Sequence, residues 1–416
     1  MDANPQGTIR RNISIMRIFV VSQCFYPEEF KINDLVHVWV MQGHEVTVLT
    51  GKPNYPKGEY FKGYRFWGIQ KETYKGANVI RVPLIRRGKG NAIRLILNYF
   101  SFVFFGCWYV LFHKIKADAI FCFALSPITQ IYPALVLKRK IKIRTSIWVQ
   151  DLWPESVSAV GAMKDHGIAW DLLTKMVSSI YRQCDTIFIQ SPAFCESICQ
   201  KGNFQNKIVY APNWAEDLYI NPSYYKEKYK KLMPDGFKVM FAGNIGQAQD
   251  FDSIIKAAEI TKKDNPYIKW IIVGDGRARA EAESLVKKIG LSDTVLFLGR
   301  YPANEMPDFF IHADVMLVSL RDVNIFAMTI PSKLQTYMAF GKPIVSMLNG
   351  IGNTIINDAR CGLTSASGDY KTLAANILQL SKMSKKNLNQ MAINARRYYQ
   401  ENFTKTSVIK VLTDHL

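Results

Sequence analysis

Cysteine is scarce in this chain and carries no pattern. Seven thiols (Cys24, Cys107, Cys122, Cys184, Cys195, Cys199 and Cys361) are spread over 416 residues. None forms a C-x-x-C pair and most stand in apolar runs, which argues against a disulfide framework or a dithiol redox centre and for buried free thiols in a reducing compartment. Histidine is also thin: the six residues, His44 and His312 among them, show no metal-ligand spacing, so no metal site is expected. Acidic residues are outnumbered by basic ones, 34 to 53, for a formal net charge of +19. Such an excess suits nucleic acid, an anionic membrane or an anionic small substrate. Zinc-finger spacing, an RNA-recognition aromatic motif and a heptad zipper behind a basic region are all missing, which sets nucleic acid aside. There is no repeat of solenoid period and no low-complexity tract. The first fifteen residues are polar and lack the apolar centre of a secretory signal; the fold is expected to open at Met16.

Long hydrophobic runs are also rare, with one exception. Residues 95–112 are nearly all apolar, at about the lower length limit for a spanning helix. Arg86, Arg87, Lys89 and Arg94 precede the run, His113, Lys114 and Lys116 follow it, and Asn98, Ser101 and Gly106 interrupt it. The next run, 119–124, reads as a buried strand of the same domain, and a spanning helix would split that domain across the bilayer. A packed or interfacial helix is therefore expected, with Trp108, Tyr109 and several Phe suited to an anionic lipid surface.

What the chain does have is the same folding unit begun twice. Arg17-Ile18-Phe19-Val20-Val21-Ser22 breaks into Gln23-Cys24-Phe25-Tyr26-Pro27, and Lys238-Val239-Met240-Phe241-Ala242 breaks into Gly243-Asn244-Ile245-Gly246. Helix-like patterns and further apolar runs follow each. Strands are expected at 46–50, 79–83, 119–124, 145–150 and 186–191, then at 239–242, 270–273, 295–298, 315–319 and 344–345. Helices are expected at 34–42, 251–265, 278–289, 306–311, 333–340 and 384–401, with 51–68 a loop. This alternation predicts α/β architecture with parallel sheets covered on both faces. The length allows two domains, and ligands bind at strand ends in the cleft between such halves.

The chemistry-bearing residues gather after the strands of the second half. Gly243-Asn244-Ile245-Gly246, Gly274-Asp275-Gly276 and Gly299-Arg300-Tyr301 end successive strands. Glycines there let a backbone approach a phosphate. The spacing is not G-x-G-x-x-G, so a nicotinamide dinucleotide is not indicated. Ile330-Pro331-Ser332-Lys333-Leu334 opens a helix and puts Ser332 and Lys333 at its positive end, which suits a diphosphate. Asp250-Phe251-Asp252 has a D-x-D form but begins a helix, where capping and the helix dipole explain it.

These pieces, in this order, resemble the family 4 glycosyltransferases of bacteria, which have the GT-B fold. Phe25-Tyr26-Pro27-Glu28, Gly43-His44-Glu45-Val46, Asn54-Tyr55-Pro56-Lys57-Gly58, Gln150-Asp151-Leu152-Trp153-Pro154-Glu155, Ala242-Gly243-Asn244-Ile245-Gly246, Val273-Gly274-Asp275-Gly276 and Pro331-Ser332-Lys333-Leu334 carry the resemblance over nearly everything after Met16. The closer likeness is to O-antigen and capsule transferases that add N-acetyl-L-fucosamine to a lipid-linked sugar.

The resemblance implies two Rossmann-like domains facing across a cleft: an acceptor domain over 16–214, a linker over 215–236, a donor domain over 237–397, and a final helix, 398–416, returning to the first domain. It implies a nucleotide-sugar co-substrate, UDP-linked, with no cofactor and no required metal. It implies retention of configuration, an undecaprenyl-diphosphate-linked saccharide as acceptor, and a peripheral place on the anionic cytoplasmic face of the inner membrane. Donor contacts are expected from Gly243, Asn244, Gly246, Gln249, Gly274, Gly276, Arg300, Tyr301, Ser332, Gln335 and Thr336. Glu28, Lys31, Asn33 and Glu155 are expected toward acceptor or sugar, Asp151 as the residue that orients or deprotonates the acceptor hydroxyl, and Lys333 as the charge stabiliser.

Two departures from the family pattern stand out. The positions where many members carry an Arg and a Lys for the diphosphate are Asn244 and Gln249. Those of two glutamates eight residues apart are Met328 and Thr336. The first loss leaves Lys333 as the cation, and the second suits a donor with fewer free hydroxyls, such as a 6-deoxy N-acetyl sugar. The rival expectations are a nucleotide-sugar epimerase of the same architecture and a membrane-associated sugar-binding subunit without catalysis.

Overall fold

A computed structural model describes residues 15–88, 91–159, 161–220 and 228–416. The N-terminal extension up to residue 14, Lys89, and residues 221–227 of the expected linker lie outside the described residues.

The strands are β1 (Arg17–Val21), β2 (Glu45–Gly51), β3 (Gln70–Tyr74), β4 (Ala77–Val82), β5 (Ala119–Ala124), β6 (Thr145–Val149), β7 (Thr186–Ile189), β8 (Ile208–Tyr210), β9 (Phe237–Ala242), β10 (Ile268–Val273), β11 (Val295–Gly299), β12 (Val315–Ser319), β13 (Ile344–Met347) and β14 (Gly362–Ser365). They form an eight-stranded sheet, β3-β4-β2-β1-β5-β6-β7-β8, and a six-stranded sheet, β11-β10-β9-β12-β13-β14. β1 pairs in parallel with β2 and β5, and β9 with β10 and β12; β3 runs antiparallel to β4. This is the expected α/β architecture, two Rossmann-like parallel sheets. It arises because runs such as Ala119–Ala124, buried at every position, have no polar face to turn to water. The three strands missed in the sequence are the polar edge strand β3, β8, which is apolar but only three residues long, and the short, mixed β14.

The second sheet buries both its faces. Met240, Ile271, Met316 and Val318 pack on one side with Leu334, Tyr337 and Met338 of the Ser332–Phe340 helix. Val239, Phe241, Trp270, Ile272, Val315 and Leu317 pack on the other with Ile254, Ile255 and Ala258 of the Phe251–Asp264 helix. The alternation along β9 is the two-residue period of a strand.

Compact grouping divides the chain differently from expectation. One unit holds Met1–Asp151, Lys175–Phe188 and His415–Leu416, and the other Leu152–Thr174 and Ile189–Asp414. Residues 398–414 therefore stay with the second unit rather than returning to the first. The reason is local: Tyr399 and Phe403 are buried in the core of the six-stranded sheet, and the Tyr399 hydroxyl accepts from the Ala215 N–H at 3.2 Å.

The apolar run is a helix, Ala92–Phe112, with a mean hydropathy of 1.8, long and apolar enough to cross a membrane. One face packs on the Tyr132–Ile141 helix, β2 and β4. Asn98 on that face accepts from Gln23 at 2.8 Å, and Ser101 accepts from the Ile85 N–H at 3.0 Å. The other face is open: Ile93, Ile96, Leu97, Phe100, Phe104, Trp108, Leu111 and Phe112 recur every three or four residues and are all exposed.

Candidate active site

Three loops at the carboxyl ends of β9, β10 and β11 are hydrogen-bonded into one surface. The Gly243 N–H donates to Val273 O, Ile245 to Asp275 O and Gly274 to Gly299 O, at 2.9, 2.9 and 2.8 Å. The contacts are too close for side chains. A Cβ on Gly274, at φ +153, would lie 1.9 Å from Gly243 O, and one on Gly276 2.2 Å from Ile245 O. The glycines are thus needed first to let two loops touch, and only secondarily to leave backbone open to a ligand.

Lys333 reaches this surface from the first turn of the Ser332–Phe340 helix. A Cβ on Gly243, at φ +136, would lie 2.5 Å from Lys333 Cε and 3.2 Å from Nζ. The ammonium sits over the Phe241 ring, 3.9 Å from its centroid. Part of Lys333 remains accessible, yet protein bulk surrounds it and burial pushes its pKa down to about 7; the aromatic face opposes that by favouring the charged form. Lys333, the exposed Ser332 and the exposed Asn244 are thus available to a diphosphate.

Several expected donor residues are occupied elsewhere. Gln249 Oε1 accepts from the Gly246 N–H at 3.0 Å and so holds the loop. Gln335 is buried and its amide donates to Asn213 O at 2.6 Å. Tyr301 packs its ring on Tyr229 and Phe309. Arg300 is exposed and Thr336 half-buried. Gly246 precedes a single 3-10 turn over Gln247–Gln249, and the left-handed Asp250 separates that turn from the Phe251–Asp264 helix. Asp250 does not cap either, because its side chain makes no cap hydrogen bond; Asp250 and Asp252 instead approach Arg321, at 3.9 and 4.0 Å. Arg321 is a cation beside the glycine loop, its N–H bonded to Ala248 O at 2.9 Å, that the linear sequence did not flag because it follows β12, some seventy residues on.

In the first unit the expected acceptor residues form a scaffold. Glu28 is buried; its Oε1 accepts from the N–H groups of Asn54 and Tyr55 at 2.8 and 2.7 Å and its Oε2 from Phe25 at 3.2 Å. Burial raises its pKa and these three donors pull it back. Asn33 donates to Glu28 O at 2.7 Å and accepts from the Tyr26 N–H at 3.0 Å. Both hold the loops after β1 and β2. Lys31 is the first residue of the Lys31–Met41 helix. Glu28→Gln would turn an amide donor toward backbone donors and is expected to cost about 1–3 kcal/mol, read as a lower midpoint in urea denaturation.

Asp151 is half-buried and tied to the loop after β5. Its Oδ2 accepts from the Ser126 N–H and hydroxyl, both at 2.9 Å, and burial raises its pKa while these bonds lower it. Glu155 belongs to a separate place in the second unit, where it is salt-bridged to Lys201 and accepts from Ser197 Oγ at 2.6 Å. It lines a cavity of about 950 Å³ with Asp165, His166, Trp170, Asn324 and Met328. The sequence reading missed Asp165, His166 and Trp170; an aromatic beside acidic groups in a turn-rich stretch was the available signal. Among the described residues no group of three or more His, Cys, Asp or Glu stands close enough to hold a metal ion.

The comparisons with known proteins agree with this architecture. Residues 226–398 match the family model of glycosyl transferases group 1. WcaI of Escherichia coli K12, named for a colanic acid biosynthesis glycosyl transferase, is 26% identical over 340 residues, covering 78% of this chain and 82% of its own. Sucrose-phosphate synthase from Thermosynechococcus elongatus superposes with a TM-score of 0.71 at 16% identity, over 96% of this chain and 97% of that one. Anabaena HepE, in complex with UDP and glucose, superposes with a TM-score of 0.65 at 15% identity, over 96% and 98%. The fold is GT-B. The protein is a glycosyltransferase whose second half carries the group 1 match.

Proposed function

We propose that the protein transfers a sugar, with retention of configuration, from a UDP-linked donor to an undecaprenyl-diphosphate-linked saccharide in polysaccharide biosynthesis, and that the sugar is N-acetyl-L-fucosamine destined for an O-antigen. The observation that carries this is the placement of Lys333 against Gly243 at a helix N-terminus, the arrangement a departing diphosphate requires. The bond from the anomeric carbon to the diphosphate breaks as a bond to the acceptor oxygen forms on the same face, and the acceptor proton passes to the departing phosphate. Lys333, with the open end of its helix, meets the growing negative charge. The relative named for colanic acid and the UDP-bound HepE support the polysaccharide and UDP parts. The open face of the Ala92–Phe112 helix and the net charge of +19 support a peripheral place on the anionic cytoplasmic face of the inner membrane.

The test is turnover of a nucleotide-sugar panel that includes UDP-N-acetyl-L-fucosamine, with a short lipid-diphosphate-GlcNAc acceptor and EDTA present. A product heavier by one glycosyl unit, formed only with both substrates, is expected. Donor conversion without acceptor would mean an epimerase. Donor binding with no product from any acceptor would mean a non-catalytic subunit. Full activity with a plain hexose donor would overturn the assignment of the sugar.

A further inference from the structure

Beside the apolar helix lies a pocket that the glycosyl-transfer chemistry does not use. Its volume is about 560 Å³ and its lining includes Lys52, Tyr64, Arg65, Trp67, Ile69 and Gln70. Lys52 directly follows β2 and is 2% exposed. Its Nζ donates to the neutral amide oxygen of Gln70 at 3.1 Å. The charges facing it are mostly of its own sign: the guanidiniums of Arg81 and Arg65 against the carboxylate of Glu72. That carboxylate is already taken, because Arg81 pairs with it and Tyr64 donates to it at 3.2 Å. Among the described residues no carboxylate lies within ion-pair distance of Lys52 or Arg65, so a largely buried ammonium and a guanidinium share one pocket without a counter-ion.

The rim of the same pocket is apolar and open. Trp67 is 75% exposed and Ile69 is exposed beside it. Phe66 meets Trp67 and Phe105 of the Ala92–Phe112 helix edge to face, with centroids 4.7 and 5.9 Å away, which ties this loop to the helix. An aromatic and aliphatic rim continuous with the exposed helix face, around a floor of uncompensated positive charge, has the chemistry of a lipid: acyl chains outside and an anionic head within.

We propose that Lys52 and Arg65 form a binding site for the phosphate of a membrane lipid's head group, entered from the bilayer on which Trp67 and the Ala92–Phe112 helix lie. The inference rests on the proposal that this face meets a membrane. It adds a stereochemical site to what would otherwise be diffuse attraction between basic protein and anionic surface. A buried ammonium beside an exposed guanidinium holds a phosphate oxygen more tightly, and with less screening by salt, than lysines all standing in water.

The test is flotation of the full chain with vesicles of phosphatidylcholine alone, with added phosphatidic acid, or with oleate matched to the same surface charge, all at high salt. The phosphatidic acid vesicles are expected to bind about tenfold tighter than the oleate ones. Lys52→Met and Arg65→Gln are each expected to erase that preference while still floating, and Lys62→Met, on the surface outside the pocket, to keep it. Because Arg65 is exposed, its variant answers even if Lys52→Met folds poorly. Equal binding to both anionic vesicles, or a preference unchanged in both pocket variants, overturns the site. Inorganic phosphate that competes as strongly as the vesicles overturns its assignment to a lipid. Failure of the native protein to float with any vesicle overturns the membrane reading itself, and a variant with Phe104→Ser and Trp108→Ser that floats like the native protein does the same.

Discussion

Lys333→Met is expected to lower kcat/KM for the donor by about a hundredfold to a thousandfold, the range seen when one group facing the developing charge of a transition state is removed. Asn244 and Gln249 are neutral and Arg321 already faces Asp250 and Asp252, whereas the Lys333 ammonium is set directly against Gly243. The loss should fall on kcat as well as KM, because the leaving diphosphate gains charge as the glycosidic bond breaks. Loss of stability does not explain such a result. A desolvated amine is a cost to the folded state, and methionine fills a similar volume, so the variant should melt no lower than the native protein.

The pH behaviour gives an independent sign. With its pKa pushed down to about 7, Lys333 is neutral in most of the empty protein above that pH. A diphosphate needs it charged, so donor binding at pH 8 should take up close to one proton, seen by calorimetry as a heat that scales with buffer ionisation enthalpy. Donor Kd should rise with pH from about 7 upward, by as much as about tenfold per unit. For stability the sign is opposite: between the folded value of about 7 and an unfolded value of about 10.4, only the unfolded chain holds the proton, so this group makes the empty protein more stable as pH rises. Lys333→Met should abolish both dependences. A proton uptake unchanged in the variant would remove Lys333 from the site.

Gly274→Ala is the second large effect. The added methyl would overlap Gly243 O at 1.9 Å, in a backbone conformation with φ +153 that favours glycine. Neither partner can move freely. The Gly243 N–H is bonded to Val273 O and the Gly274 N–H to Gly299 O, so displacement breaks the loop ladder. A cost of about 3–5 kcal/mol is expected, at the upper end for point substitutions, together with loss of donor binding. Gly290→Ala is a suitable control: also at positive φ, +71, but with nothing within 4 Å of the new methyl, it should show the backbone cost without the clash. Equal melting temperatures for the two variants would mean that the loops do not touch as described.

Buried parallel strands were legible where they are continuous apolar runs; Ala119–Ala124 could be read directly, and of Ile268–Val273 the part after Lys269, residues 270–273. Gln70–Tyr74 was not, because an edge strand with one face in water has the composition of a loop. At the candidate site the types and positions of Gly243, Gly274, Ser332 and Lys333 were legible, since phosphate chemistry requires backbone access and a cation at a helix start. The roles of Glu28, Asn33, Gln249 and Gln335 were not: a polar side chain near a motif has the same letter whether it meets a ligand or a neighbouring backbone N–H. Their partners lie up to 122 positions away in sequence, and only folding brings them within 3.2 Å.

Sequence alone determined the α/β class, the two parallel sheets and the glycine-lined strand ends, because burial and turn chemistry act on neighbouring residues. Tertiary structure alone decided that Lys333 meets Gly243, that residues 398–414 remain with the second unit, and that Lys52 and Arg65 share a pocket without a carboxylate. Those are facts of distance between remote segments, and charge and packing energies depend on distance rather than on order along the chain.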